Sequence, residues 1–263
     1  MPAGRSTTKV GGTDEEIRLD GAGIRFGESW ALQDISLTIR ASERVALVGP
    51  SGAGKTTLLS LMNGSRTPTL GTVTVFGKGL AGLKRKELGR VQSRIGAIHQ
   101  QFDLVGPLRV VHNVNAGRIA RWSLGKALGS LIWPRGVNDV REALARVGIA
   151  DKMFERTDRL SGGQLQRVAI ARVLLQDPAL ILADEPIASL DPARARDTMD
   201  LLKQLATELG KTLVVSLHAF DYALSHCDRV IGLREGKLIF DAHSKDVTEA
   251  MASRLYRIKA GLG

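Results

Sequence analysis

Cysteine and long apolar runs are the scarcest features of this 263-residue sequence, and each shortage excludes a class of protein. The single cysteine, Cys227, cannot form a disulfide within the chain. The N-terminus lacks the basic-then-apolar pattern of a secretory signal, so we expect residence in a reducing cytoplasm. Because no stretch approaches the ~20 apolar residues of a membrane helix, we do not expect the chain to cross a membrane by itself.

Acidic residues are also in short supply, which leaves a formal net charge of +10 and a pI near 10.1. Such a balance suits nucleic acid, anionic lipid or a nucleotide. Most of the excess lies in residues 84–135, which hold ten basic side chains and two acidic ones. This segment is either a docking surface or a solvated run of charge.

The apolar patterns predict one large α/β domain. Residues 1–16 are polar and small, which is typical of a disordered tail, and the domain is expected to span 17–263. The stretches "IRLDGAGIRF" and "LQDISLTIR" alternate like half-exposed antiparallel strands, whereas "RVALVG", "LILAD" and "TLVVSLH" are typical of buried parallel strands. Residues 101–163 are mostly helical in pattern and are interpreted as an inserted subdomain.

Residues that favour helix ends and turns predict where several helices and strands end. We expect Gly64 just past one helix, Asn138 as the cap and Gly148 as the stop of another, and a helix over residues 192–209. A hairpin is expected to turn at Glu235 and Gly236.

The stretch "GPSGAGKT" between a predicted strand and a predicted helix is typical of a phosphate-binding loop. Its glycines allow close approach to phosphate oxygens, Lys55 reaches the β- and γ-phosphates, and the Thr56 hydroxyl ligates Mg²⁺. The predicted nucleotide contacts are Gly49, Pro50, Ser51, Gly52, Ala53, Gly54, Lys55, Thr56 and Thr57.

The stretch "LILADE" places two carboxylates at the end of a predicted central strand. In phosphate-loop ATPases an Asp at this point holds Mg²⁺ and a following carboxylate activates the attacking water. Asp184 and Glu185 are the candidates for these two roles.

A second glycine-rich helix start follows in "LSGGQLQRVAIAR". Ser161, the amides of Gly162 and Gly163, Gln164 and the helix dipole suit a γ-phosphate. Because Lys55 and Ser161 flank the whole helical subdomain, one nucleotide cannot easily use both sites of one chain. The simplest solution is that each chain caps the nucleotide of a second copy.

These motifs, in this order, resemble the ATP-binding cassette (ABC) ATPase family over about residues 17–242. The resemblance implies a P-loop NTPase (RecA-like) core with an antiparallel β subdomain and a helical subdomain, ATP and Mg²⁺ as cofactors, and an ATP-sandwich homodimer. It also implies that Gln100 in "IHQQFDL" links Mg²⁺ to a permease, that Asp191 crosses the dimer, and that His218 senses the γ-phosphate. Phe26 would stack on adenine, with Trp30 as the alternative.

Within that family, "QQFDLVGPLRVVHNVNAGR" and "SLHAFDYALSHCDRVIGLREGKLIFDA" are most similar to the ATPase subunits of phosphonate importers. The chain departs from the usual pattern at His99, Asn115, Ala219, Phe220 and Ala242. The departures leave phosphonate, phosphite and related oxyanions as cargo.

The resemblance implies a peripheral translocase on the cytoplasmic face of a bacterial inner membrane, with a permease as partner and a solute-binding protein as an indirect one. The basic segment would dock at the membrane face, and Trp122 and Trp133 would either cover the permease contact or pack in the core. The alternatives are an ABC ATPase of another transporter subfamily, a soluble ABC ATPase that acts on nucleic acid, and a non-catalytic regulatory subunit. Only 61 positions separate Gln100 from Ser161, too few for a long coiled-coil insertion, so no nucleic-acid partner is expected.

Overall fold

The computed structural model describes residues 15–121, 136–188 and 190–256. Residues 1–14 of the predicted tail, and both Trp122 and Trp133, lie outside these ranges. Within them, none of the helices has the length and apolar character needed to cross a bilayer.

Four antiparallel strands form the first sheet, in the order β2-β1-β4-β5. The strands are β1 (Glu15–Phe26), β2 (Ser29–Arg40), β4 (Leu70–Val75) and β5 (Lys78–Gly79). Buried and more exposed residues alternate in the first half of β1 and the second half of β2, as the sequence pattern predicts, whereas Ala22, Gly23 and Ile24 of β1 are buried in succession. Because β1 begins at Glu15, the predicted boundary of the tail at residue 16 moves toward the N-terminus.

Six strands form the second sheet, in the order β10-β9-β3-β8-β7-β6. They are β3 (Arg44–Val48), β6 (Ile95–Ile98), β7 (Leu180–Asp184), β8 (Thr212–Leu217), β9 (Arg229–Arg234) and β10 (Lys237–His243). All neighbouring pairs are parallel except β9 and β10. The predicted turn of that hairpin is present, with Glu235 and Gly236 at φ of 50° and 74°.

Both faces of this sheet are buried, which explains its continuous apolar strands. On β3, Ala46 and Val48 face one apolar core with the helices, whereas Val45 and Leu47 face a second core beneath the antiparallel sheet. The strand therefore holds two layers together.

Eight helices are described, along with several short 3₁₀ turns. They are α1 (Lys55–Met62), α2 (Arg85–Gln92), α3 (Val110–Asn115), α4 (Val137–Arg146), α5 (Gly162–Gln176), α6 (Pro192–Glu208), α7 (Phe220–His226) and α8 (Glu249–Tyr256). Gly64 and Gly148 have positive φ just past α1 and α4, as predicted.

The predicted cap at Asn138 is wrong. Helix α4 begins at Val137, and its N-cap is Gly136, two residues before the predicted cap, in a left-handed conformation with φ of 61°. The first turn of α4 is held by an ion pair of 2.5 Å between Asp139 and Arg118, so a tertiary contact replaces the side-chain cap.

Candidate functional site

The glycine-rich loop of residues 49–54 joins β3 to α1 with very little space around it. A Cβ added to Gly49 would lie 2.1 Å from the carbonyl oxygen of Leu233. A Cβ on Gly54, whose φ is 104°, would lie 2.7 Å from Cδ2 of Leu32. Only glycine fits at these two points, so the loop can hold its backbone amides toward an anion at the start of α1.

Lys55, the first residue of α1, points back under the loop. Its Nζ donates to the carbonyl oxygens of Gly49 and Pro50 at 2.9 and 3.3 Å, and its side chain is only 4% exposed. Burial lowers the pKa of this ammonium group, while the carboxylates of Glu185 and Asp184 act in the opposite direction. A buried cation with one carboxylate at 3.8 Å is well suited to an anionic ligand.

The other loop residues support this arrangement. Ser51, Gly52 and Thr56 are exposed, whereas Ala53 is buried. The Ala53 carbonyl accepts a hydrogen bond of 3.1 Å from the amide of Gly236, which closes the loop against the β9–β10 hairpin. The half-buried Thr57 lies one residue further along α1, and its carbonyl accepts from Ser60.

The two predicted carboxylates lie at the end of β7, beside the loop. Asp184 Oδ1 accepts from the Thr56 hydroxyl at 3.2 Å and from the Ser216 hydroxyl at 2.6 Å. The Ser216 hydroxyl in turn accepts from the Glu185 amide at 2.9 Å. Ser216 was not among the predicted residues, and its only signal is that it and Thr212 are the two hydroxyl residues of the otherwise apolar strand "TLVVSL".

Glu185 is held between two cationic or polar partners. Its Oε1 lies 2.5 Å from His218 Nε2 and 3.8 Å from Lys55 Nζ. Glu185 has a left-handed backbone with φ of 48°, which departs from the extended conformation of β7. His218 follows the end of β8, so neighbouring strand ends bring the pair together.

Gln100 lies at the same edge of the sheet. Strands β6 and β7 pair Ile98 with Ala183, and Gln100 and Glu185 each follow two residues later. The Gln100 residue is exposed. The register therefore places Gln100 on the strand end next to the one that carries the two carboxylates.

The oxygen donors at this edge fit Mg²⁺. Thr56 Oγ1 and Asp184 Oδ1 already approach within 3.2 Å, and Gln100 is on the neighbouring strand end. Hydroxyl, carboxylate and amide oxygens are hard ligands of the kind Mg²⁺ prefers alongside phosphate and water. Over the described ranges there is no group of three His, Cys, Asp or Glu that could hold a metal without such help.

The second glycine-rich motif starts α5 with a capping box. Gln164 N donates to Ser161 Oγ at 3.4 Å, and Ser161 N donates to Gln164 Oε1 at 2.9 Å. Ser161, Gly163 and Gln164 line a cavity of about 250 Å³, which Arg167 and Arg194 also line. No residue of the loop 49–57 lines this cavity, so the two glycine-rich motifs of one chain do not share it.

Asp191 is the N-cap of α6. Its Oδ1 accepts from the Arg194 amide at 3.0 Å, and its Oδ2 lies 3.2 Å from Arg194 Nε. The next residue, Pro192, lines a cavity of about 310 Å³ together with Glu185 and His218. The segment that carries Asp191 therefore borders the sheet edge where Glu185 and His218 lie.

Phe26 ends β1 and is 45% exposed, with the Arg66 guanidinium 4.7 Å from its ring centre. Trp30, the alternative, is half-buried and packs over Gly23. Phe26 is thus the more exposed of the two candidate rings on this hairpin.

The chain is similar in sequence to known ATP-binding proteins of transporters. The sequence profile of the family described as ABC transporter matches residues 32–188. A phosphonates import ATP-binding protein of Anaeromyxobacter dehalogenans is 50% identical over 245 residues, 93% of this chain and 49% of that protein. The chain thus spans about half the length of that relative. A phosphonates import ATP-binding protein of Pseudomonas syringae pv. syringae is 46% identical over 91% of both chains.

Solved structures agree with the sequence comparison. The structure of cbiO1 from Clostridium perfringens, part of an ABC transporter complex, has a TM-score of 0.78 and 29% identity over 92% of this chain and 94% of that one. A dimeric ATP-binding cassette bound to ADP and Pi in a post-hydrolysis state has a TM-score of 0.74 and 31% identity. That alignment covers 88% of this chain and all of the other.

Proposed function

This chain belongs to the ABC transporter family, and from that premise we propose that it is the ATP-hydrolysing subunit of an importer for phosphonate or a related oxyanion. The P-loop NTPase fold predicted from the motifs is confirmed by the structural neighbours. The resemblance to phosphonate-importer subunits is likewise confirmed by relatives at 46% and 50% identity.

One observation carries the catalytic part of the proposal: the Glu185 carboxylate lies between the buried Lys55 ammonium and the His218 imidazole. A carboxylate at this point can accept the proton of a water molecule that attacks the γ-phosphate of ATP. His218 fixes the direction of that carboxylate, and Lys55 stabilises negative charge on the phosphate oxygens.

The magnesium role is proposed for the oxygens at the sheet edge. Thr56, Asp184 and Gln100 would hold the ion, which when bound neutralises charge on the phosphate oxygens. Ser216 keeps Asp184 in place through its hydroxyl and also binds the Glu185 amide, so one side chain sets the positions of both carboxylates.

We propose that Ser161, Gly162, Gly163 and Gln164 act on the nucleotide of a second copy. The capping box fixes Ser161 at the start of α5, but no loop residue of the same chain lines its cavity. A homodimer in which each α5 faces the loop of the other copy supplies the missing donors. Asp191 and Phe26 would contact the dimer interface and the adenine ring, respectively.

The permease and membrane roles are supported by charge. Helix α2 and its N-cap present four exposed cations: Lys84, Arg85, Lys86 and Arg90. None of these four forms an ion pair with the part of the chain that the structure describes. Each basic residue close to an anionic leaflet contributes about 1 kcal/mol of attraction. Arg118, by contrast, already forms an ion pair with Asp139, so its charge is neutralised within the protein.

We therefore propose a peripheral location on the cytoplasmic face of a bacterial inner membrane, with a permease as the direct partner and a solute-binding protein as the indirect one. Residues 15–263 would act as one ATPase domain, two residues longer at its start than the predicted 17–263, with a helical subdomain over about residues 101–163. Substitution of Lys84, Arg85 and Arg90 by glutamate should reduce the amount of permease that co-purifies with this protein at low salt. Unchanged assembly at every salt concentration would remove the docking role of α2.

The decisive experiment is growth of a strain that lacks this protein, with 2-aminoethylphosphonate, methylphosphonate, phosphite or phosphate as the sole phosphorus source. We expect failure on at least one phosphonate, rescue by the wild type and by Glu208→Gln, and no rescue by Glu185→Gln. Glu208 is a matched control because it is an exposed glutamate at the end of α6. Normal growth of the deletion strain on every source, with no second importer present, would contradict the cargo class.

A further inference from the structure

Helix α5 holds the backbone that follows Gln100 through a single arginine. Arg172 Nη1 donates to the Asp103 carbonyl at 2.7 Å, and Nη2 donates to the Phe102 carbonyl at 2.9 Å. Burial lowers the pKa of Arg172 and the Asp103 carboxylate opposes this shift, yet a guanidinium stays charged in proteins. One half-buried cation therefore fixes two successive carbonyl groups.

Those two carbonyls belong to residues in an unfavourable conformation. Phe102 and Asp103 have φ of 59° and 46°, in the left-handed region that non-glycine residues rarely occupy. Such a conformation persists only where surrounding contacts enforce it. Arg172 is a contact that reaches both residues.

The neighbouring residues complete a closed turn. The Phe102 amide donates to the His99 carbonyl at 2.9 Å, which folds the chain around Gln100. On the far side, Asn113 Oδ1 accepts from the Val105 amide at 2.8 Å and Asn113 Nδ2 donates to the Val105 carbonyl at 3.0 Å. Gln100 therefore lies between the end of β6 and a segment fixed to helices.

Helix α5 reaches the other catalytic strand end as well. Gln166, which is 1% exposed, donates from Nε2 to the Pro186 carbonyl at 2.5 Å, one residue past Glu185. The helix that begins after Ser161 thus contacts the segments that follow both Gln100 and Glu185.

We propose that Arg172 is a positioning residue: it fixes Gln100 relative to α5, and so relative to Ser161, by holding the turn at residues 102–103. This inference rests on the proposed function of the site. It concerns a residue that would touch neither nucleotide nor metal and would act only through Gln100.

Arg172→Lys is the main test, because an ammonium group cannot make the planar two-fold contact. Removal of an outer contact that orients a metal ligand typically weakens metal binding about 10- to 100-fold. We expect the Mg²⁺ concentration for half-maximal ATP hydrolysis by the full-length protein to rise by about 10-fold. ATP binding without Mg²⁺ should stay unchanged.

Arg146→Lys is the matched control. Arg146 lies on α4, and its guanidinium pairs with Glu142 at 3.5 Å on the exposed surface. This ion pair involves no residue of the segment 99–105 or of the proposed nucleotide site, so the Mg²⁺ requirement of Arg146→Lys should match that of the wild type.

A double-mutant cycle with Gln100→Ala tests whether Arg172 acts through Gln100. The Arg172→Lys effect should disappear in the Gln100→Ala background. Amide hydrogen exchange of residues 99–105, measured without nucleotide or metal, should be faster in Arg172→Lys and unchanged in Arg146→Lys. Arg172→Gln, which keeps a polar amide group but lacks the guanidinium fork, serves as the second variant if the lysine protein loses its circular dichroism spectrum.

Additive losses in the cycle, or unchanged exchange over residues 99–105, would overturn the proposal. A wild-type protein that hydrolyses no ATP would instead contradict the proposed function. The exchange measurement would still decide whether Arg172 holds the turn, so the two failures are distinguishable.

Discussion

Replacing Glu185 by glutamine removes one negative charge and almost no volume. The amide oxygen of the glutamine can still face His218 Nε2, which lies 2.5 Å from Oε1 in the wild type. The Glu185 backbone amide keeps its bond to Ser216. We therefore expect the fold and the loop around Lys55 to survive, with only proton acceptance lost.

The structure limits how much the Glu185→Gln substitution can change the affinity for ATP. At 3.8 Å, the attraction between the Lys55 ammonium and the Glu185 carboxylate is about 4 kcal/mol at an effective dielectric constant of 20. Desolvation offsets most of this attraction, and the triphosphate replaces the carboxylate as the partner of Lys55. A residual change of about 1 kcal/mol corresponds to a roughly fivefold change in affinity.

The Glu185→Gln substitution should change the rate of ATP hydrolysis far more than it changes the affinity for ATP. A positioned general base contributes about 10²- to 10⁴-fold, so kcat of Glu185→Gln should fall by that factor while the Kd for ATP stays within about fivefold. Phosphate release under single-turnover conditions and equilibrium dialysis measure the two quantities, with Glu208→Gln as the control. A kcat within about tenfold of the wild-type value would refute the role of Glu185 as base.

Three further predictions concern other parts of the molecule. Ser161→Arg should bind ATP but fail to dimerise in size-exclusion chromatography in a hydrolysis-deficient background, and a persistent ATP-dependent dimer would contradict action on a second copy. Gly49→Ala should lower the free energy of unfolding by about 3 kcal/mol, because its Cβ would meet the Leu233 carbonyl at 2.1 Å. Gly27→Ala, with open space around a φ of 58°, should cost only about 1–2 kcal/mol in the same urea titration. Burial raises the pKa of Glu16, so the native state binds its proton more tightly than the unfolded state does. The contribution of Glu16 to the free energy of unfolding therefore falls as pH rises past the ordinary pKa of the group. Glu16→Gln should therefore stabilise the protein at pH 7 by less than about 1 kcal/mol, with no gain at acidic pH in matched urea titrations.

Local patterns were sufficient to predict much of the fold. Strands β7 and β8 are continuous apolar runs, Gly64 follows α1 with φ of 68°, and Glu235 and Gly236 form the hairpin turn. Each of these features depends on the intrinsic preferences of residues close together in the chain. The cap of α4 could not be predicted in this way because a distant ion pair stabilises its first turn.

The residues of the site also divide into those that a local motif predicts and those that depend on distant contacts. Lys55, Asp184 and Glu185 are recognisable because their motifs are contiguous, and the fold brings them to one edge of the sheet. Ser216 and Arg172 have no comparable local signal. Ser216 lies 31 positions from its Glu185 partner, and Arg172 lies 69 and 70 positions from the carbonyls it binds. Only the completed tertiary structure reveals what these polar side chains do.

The contact between the phosphate-binding loop and the β9–β10 hairpin has a consequence for biosynthesis. The loop is translated before the hairpin, yet its Ala53 carbonyl is bound by Gly236 and its Gly49 packs against Leu233. Strand β3, which carries the loop, lies between β8 and β9, both of which are translated much later. A ribosome must therefore synthesise the chain at least as far as Gly236 before the loop acquires its final neighbours. Until then the nascent chain has no finished nucleotide site, and the ability to bind ATP tightly arises only after the β9–β10 hairpin has been made.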